Sequence, residues 1–159
     1  MKLNNFFKLI VSIVLCQAVG IGGAFFTSPA VSSSWYRALE KPALNPPSWV
    51  FSPVWITLYF LMGVALFLVW RASGERRKIK MALSVFGIQL FFNALWSVIF
   101  FGCQNLGWAL VDIVALGLAI VWTIFVFRKI SKTAGYLLAP YLLRVGFAGY
   151  LNYAFWILN

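Results

Sequence analysis

Histidine is absent from this 159-residue chain, and only three carboxylates occur, Glu40, Glu75 and Asp112. A metallohydrolase would lack both its usual ligands and its usual base, so neither a metal site nor a catalytic residue is assigned. Cysteine is scarce. Cys16 and Cys103 fall in or at the edge of different apolar segments and neither begins a CxxC pair, so both read as small hydrophobic residues. Charge is also short, at 10% of residues against roughly a quarter in soluble domains. What replaces it is 63% hydrophobic sequence, more apolar surface than a soluble core absorbs.

That surplus is arranged in five stretches, at about 6–26, 49–70, 81–102, 108–127 and 135–158. A spanning helix needs about 20 mostly apolar residues, and continuous apolarity without period-two alternation selects helices over a barrel. From Trp49 to Trp70 there are 21 steps, which at ~1.5 Å each is ~30 Å, one hydrocarbon thickness between two interfacial tryptophans. The expected fold is an all-α membrane protein, a five-transmembrane-helix bundle filling residues 1–159 as a single domain. Its first connection, residues 27–48, is long and carries Pro29, Pro42, Pro46 and Pro47. A stiffened connection of that length reads as a lid capping the bundle.

The 13 Lys and Arg against 3 Asp and Glu would suggest nucleic acid in a soluble protein. Here ten of them, Lys2, Lys8, Arg71, Arg76, Arg77, Lys78, Lys80, Arg128, Lys129 and Lys132, fall at helix ends on one side, and only Arg37 and Lys41 lie opposite. The positive-inside rule then puts the amino terminus inside, and the first loop and carboxyl terminus outside, with no nucleic-acid partner. The first stretch exceeds the usual apolar core of a cleavable signal, and Gln17, Gly20 and Gly23 look like packing features, so it reads as a helix of the bundle. The short tail after Tyr153 points to a bacterial membrane.

Polar residues inside a bilayer are costly and therefore informative. Gln89, Asn93, Trp96 and Phe100 share one face of the third helix. Trp108, Asp112, Ala115, Ala119 and Trp122 do so on the fourth, and Tyr141, Arg144, Ala148, Asn152 and Phe155 on the fifth. Three such stripes suit the walls of a small-molecule cavity, while ordinary helix packing with polar residues as glue gives the same spacing. Arg144 lies near mid-membrane and cannot shed its charge. It pairs with Asp112, meets carbonyls or water, or holds an anionic ligand group such as a propionate.

One segment carries a dense motif: Trp35, Tyr36, Leu39, Lys41, Pro42, Pro46, Pro47, Trp49, Val50, Pro53, Val54, Trp55, Leu58 and Tyr59. It resembles the signature WYxxLxKPxxxPPxWVxxPVWxxLY of the translocator protein family, also called tryptophan-rich sensory proteins or peripheral benzodiazepine receptors. The resemblance continues through Gln89, Asn93, Trp96, Gly107 to Asp112, Pro140, Tyr141, Ala148 and Asn152 to Tyr153. It implies a five-helix bundle, often a homodimer, with a lid-capped pocket. The pocket positions it implies are Trp35, Phe51, Ser52, Val54, Trp55, Asn93, Trp96, Trp108, Val111, Ala148 and Leu151. The implied ligands are protoporphyrin, haem, sterols and isoquinoline or benzodiazepine drugs, with no obligatory cofactor.

Three departures shape that expectation. Leu44 and Arg144, both counted here among the ligand-binding positions, stand where the family commonly has aromatics. In some members those aromatics are linked to light-dependent porphyrin breakdown, which Leu and Arg cannot support as an indole would. Ile157 stands where the proposed sterol motif wants a basic residue. The expected function is a receptor, sensor or carrier binding porphyrin or haem in the bundle. A porphyrin-degrading enzyme and a sterol or small-molecule transporter are the alternatives.

Overall fold

The computed structural model describes residues 4–159, and of Ser48, Val50 and Phe51 the backbone alone, so Lys2 lies outside it. The described residues are helical with no strand. The elements are α1 (Asn5–Val31), α2 (Ser34–Ala38), α3 (Ser48–Trp70), α4 (Arg76–Ser97, continued by a π-helical turn Val98–Gly102), α5 (Leu106–Ile130), α6 (Lys132–Leu137) and α7 (Ala139–Leu158). Among them α1, α3, α4 with its π turn, and α5 are long and apolar enough to cross a membrane.

The ends of the helices depart from the apolar stretches, each for a local reason. The first helix runs beyond Phe26 and through Pro29 to Val31. Pro29 removes one backbone donor, and on either side of it Thr27 Oγ1 donates to Gly23 O and Ser32 Oγ to Ser28 O. The expected 27–48 loop therefore shrinks. Ser33 caps α2 by accepting from Tyr36 N, and Leu39 to Pro47 form the irregular remainder. The third long helix begins at Arg76, five residues before the apolar run, because Arg and Lys are good helix formers and Glu75 pairs with Lys78 at 2.9 Å across its start. The expected 135–158 helix is divided at Leu138. Pro140 lacks the N–H that would reach Tyr136 O, and its ring crowds that turn.

Packing follows the order of the chain. α1 lies mainly on α3, α4 on α5, and α5 also on α7 and α6. The core holds Met62, Val69, Ile120 and Leu138, with Phe86 and Phe127 stacked at 5.5 Å. Gly63 lets α3 close on α1, since a Cβ there would come 2.7 Å from Ile13 Cα. At the far end of α4 the π turn hands over to Gln104 in the left-handed region (φ 54°), and Asn105 then caps α5 by accepting from Trp108 N at 3.0 Å. Cys16 is fully buried as a small hydrophobic residue would be, whereas Cys103, just past the π turn, is exposed, and both are free thiols.

Candidate functional site

A cavity of about 800 Å³ lies between α1, α3, α4 and α7 under the first loop, within the size range of small-molecule sites. Its aromatic walls are Trp55 and Tyr59 from α3, Trp96 from α4, Phe100 and Phe101 from the π turn, and Phe155 from α7. Tyr36, Lys41, Asn45, Pro46 and Pro47 form the roof. The roof is held down by ring contacts, Tyr36 to Phe101 at 6.3 Å and to Phe155 at 6.0 Å, and by Trp35 edge-on to Phe100 at 6.3 Å. Burial lifts the Tyr36 phenol above its usual range, with the Asn45 side chain pulling it part of the way back, so the roof tyrosine stays neutral near pH 7.

Two hydrogen-bonded groups fix the polar side chains. Tyr59 OH donates to Asn93 Oδ1 at 2.5 Å, and Asn93 Nδ2 donates to Tyr141 OH at 2.8 Å. Trp96 Nε1 donates to Asn152 Oδ1 at 3.0 Å, while Asn152 Nδ2 reaches Leu106 O at 2.9 Å. These bonds orient an indole and a phenol at the wall and spend their polar atoms on the protein, which leaves mostly flat apolar faces for a ligand. Arg144 also lines the cavity, its guanidinium carbon 5.7 Å from the Trp55 ring centre and 5.2 Å from that of Phe147. The Asp112 carboxylate is buried and accepts no hydrogen bond among the described residues.

Of the expected positions, Ser52, Trp55, Asn93, Trp96, Arg144, Ala148 and Leu151 are brought together on the cavity. Trp35 and Val54 stand just behind it, Trp35 against Phe100 and Val54 in the main core. Phe51 lies at the start of α3 with its side chain outside the described residues. Three positions are turned away: Leu44 is 60% exposed on the loop, and Trp108 and Val111 are 65% and 59% exposed on α5. The reason on α5 is angular. Its buried stripe is Ala109, Asp112, Leu116, Ala119, Ile120 and Thr123, and Trp108 and Val111 lie beside that stripe, as Trp122 does. Sequence reasoning missed the whole α1 wall, where Gln17, Gly20, Ala24, Thr27 and Val31 face the cavity. Small and polar residues recurring at three and four in an apolar helix were its signal, and Gly20 has a clear use, since a Cβ there would meet the Tyr59 ring at 2.5 Å.

Long apolar helices around an aromatic-walled chamber define a multi-pass integral membrane protein with an internal cavity. The TspO/MBR family matches residues 12–157, and the chain belongs to that family. It is 43% identical over 156 residues to the tryptophan-rich protein TspO of Archaeoglobus fulgidus, covering 98% of this chain and 99% of that one. It is 42% identical over 123 residues to the translocator protein of Homo sapiens, covering 77% and 73%. Protein CrtK of Rhodobacter capsulatus is 34% identical over 146 residues, covering 92% and 89%.

Proposed function

We propose that the protein is a membrane receptor or carrier that binds tetrapyrroles such as protoporphyrin or haem, and related apolar ligands, in the cavity under the first loop. The observation that carries this reading is the chamber of about 800 Å³ walled by Trp55, Trp96 and Phe100, with Arg144 among its lining residues. Flat rings stack on such walls, and a guanidinium forks onto a carboxylate. Titration of purified protein with protoporphyrin, read by tryptophan quenching, tests it on wild type and Arg144→Ala. Saturable binding weakened in the variant is expected. Equal affinities remove the anchor role, and no binding by either removes the tetrapyrrole reading.

The topology that goes with this function has five crossings, α7 being the fifth. Its 20 residues are long enough, and its polar Arg144 and Asn152 are turned to the cavity. The cation asymmetry supports an inner amino terminus and an outer first loop. Exposed Cys103 would then lie outside, and an impermeant maleimide should label it on intact cells. Labelling only after lysis reverses the orientation. Pairing as a homodimer follows from the family resemblance, and a single-chain mass in lipid nanodiscs would dismiss it.

A second reading, light-dependent porphyrin breakdown, draws support from Trp96 on the cavity wall, while Trp108 faces away. Soret decay in the illuminated complex no faster than for free porphyrin dismisses it.

A further inference from the structure

We propose that the end of the bundle where α1, α4 and α6 begin binds the headgroup of an anionic phospholipid, with Lys8 of α1 and Arg71 of α3 receiving its phosphate.

The charges at this end are nearly all of one sign. Nine lysines and arginines of the described residues lie there against a single carboxylate, Glu75, which is already paired with Lys78 at 2.9 Å. Such an asymmetry orients a membrane protein and by itself needs no ligand. Two of these cations have a further arrangement. Lys8 Nζ lies 5.9 Å from the ring centre of Trp70, and the Arg71 guanidinium carbon lies 5.3 Å from that of Phe67, one turn earlier on α3. Lys8 belongs to the first turn of α1 and Arg71 is the C-cap of α3, so two helices bring a cation each to the surroundings of one tryptophan. Neither forms an ion pair among the described residues. An aromatic ring restrains a cation without neutralising it, so both charges stay available to an anion.

Tryptophan at the end of a spanning helix marks the level of the lipid headgroups, and a leaflet rich in anionic lipid attracts basic residues placed there. Soluble phosphate shares the headgroup chemistry but lacks acyl chains. Those chains have a surface to follow, because α1 is the least buried of the four long helices and exposes Phe6, Val14, Ile21 and Phe25. One phosphate held by Lys8 and Arg71 therefore ties α1 to α3, at the opposite end of α1 from the first loop.

Native mass spectrometry of the full chain in mixed micelles, titrated with phosphatidylglycerol or phosphatidylcholine, tests this on wild type, Lys8→Gln/Arg71→Gln and Arg128→Gln/Lys129→Gln. The last variant removes the same charge from the same end, but from α5. Wild type is expected to prefer phosphatidylglycerol, and Lys8→Gln/Arg71→Gln to weaken that lipid by about fivefold for each cation removed, with Arg128→Gln/Lys129→Gln close to wild type. Equal affinity of wild type for the two lipids overturns the proposal. Equal weakening in both variants overturns the site, since a diffuse field does not depend on which two charges are lost. Release of the lipid by inorganic phosphate, at an ionic strength where chloride leaves it bound, assigns the pair to a soluble anion and overturns the lipid. Thermal unfolding in nanodiscs covers a variant of altered stability. Phosphatidylglycerol should raise the wild-type midpoint and leave that of Lys8→Gln/Arg71→Gln where phosphatidylcholine sets it, whereas an equal rise in both overturns the proposal.

Discussion

Asn93 serves two tyrosines at once, accepting from Tyr59 on α3 and donating to Tyr141 on α7. Its replacement by Leu leaves two buried hydroxyls without this partner. In water-soluble cores that would cost about 1–3 kcal/mol for each group, but within membranes such bonds average about 0.6 kcal/mol, because the unfolded helices also find partners in lipid. We therefore expect Asn93→Leu to lose about 1–2 kcal/mol, and Tyr59→Phe about half as much, in reversible unfolding from mixed micelles. A Tyr59→Phe loss as large as that of Asn93→Leu would mean the amide does not join the two bonds. At this scale the sequence was legible where a residue was polar and ambiguous where it was an indole, since Trp55 and Trp96 line the cavity as expected whereas Trp108 does not. Asn93 and Asp112 both marked buried faces, since a polar side chain in an apolar helix turns inward. Trp108 and Trp122 marked nothing, since tryptophan suits a cavity wall, a lipid face and an interfacial belt alike.

At the scale of the element, apolar length and helix length are different quantities. Hydropathy registers how much of a helix contacts lipid, which is why the run beginning at Met81 hid the turns from Arg76 to Lys80. The break before α7 was written in Pro140, yet the apolar run on both sides of it concealed the change of direction. The α1 wall stayed hidden for a related reason. Lipid is as apolar as a core, so periodicity gives a face without saying where it points. Contact between elements is more readable in glycine. Gly63 on α3 faces backbone, where Gly63→Ala sets a Cβ 2.7 Å from Ile13 Cα, while Gly117 on α5 has open space. Overpacking of this kind costs about 1–3 kcal/mol, and relieving a helix of an interior glycine returns about 0.5–1 kcal/mol. Thermal unfolding in detergent should thus place Gly63→Ala below wild type and Gly117→Ala at or above it. The same midpoint for both variants would show that α1 and α3 yield at this crossing without cost.

Across the whole molecule the roof and the last helix move together only if something joins them, and residues 119 apart in the chain do so. Glu40 N donates to Asn159 Oδ1 at 2.9 Å, Asn159 Nδ2 donates back to Glu40 O at 3.2 Å and also to Phe155 O at 3.0 Å, and Phe155 is itself a wall of the cavity under Tyr36. The latch is exposed, so water replaces much of what its loss removes, and its two cross-chain bonds together are worth about 1–2 kcal/mol. That is small against the stability of a bundle but large for a loop, corresponding to roughly a 5–30-fold easier opening. If the loop gates the cavity, Asn159→Ala should speed both entry and release of porphyrin by up to that factor, with little change in affinity, because an open roof serves both directions. Stopped-flow quenching measures both rates. Asn159→Asp, which keeps the acceptor for Glu40 N and loses the donor to Glu40 O, should fall between wild type and Asn159→Ala. Unchanged rates in Asn159→Ala would mean that ligand reaches the cavity by a path that does not cross the roof.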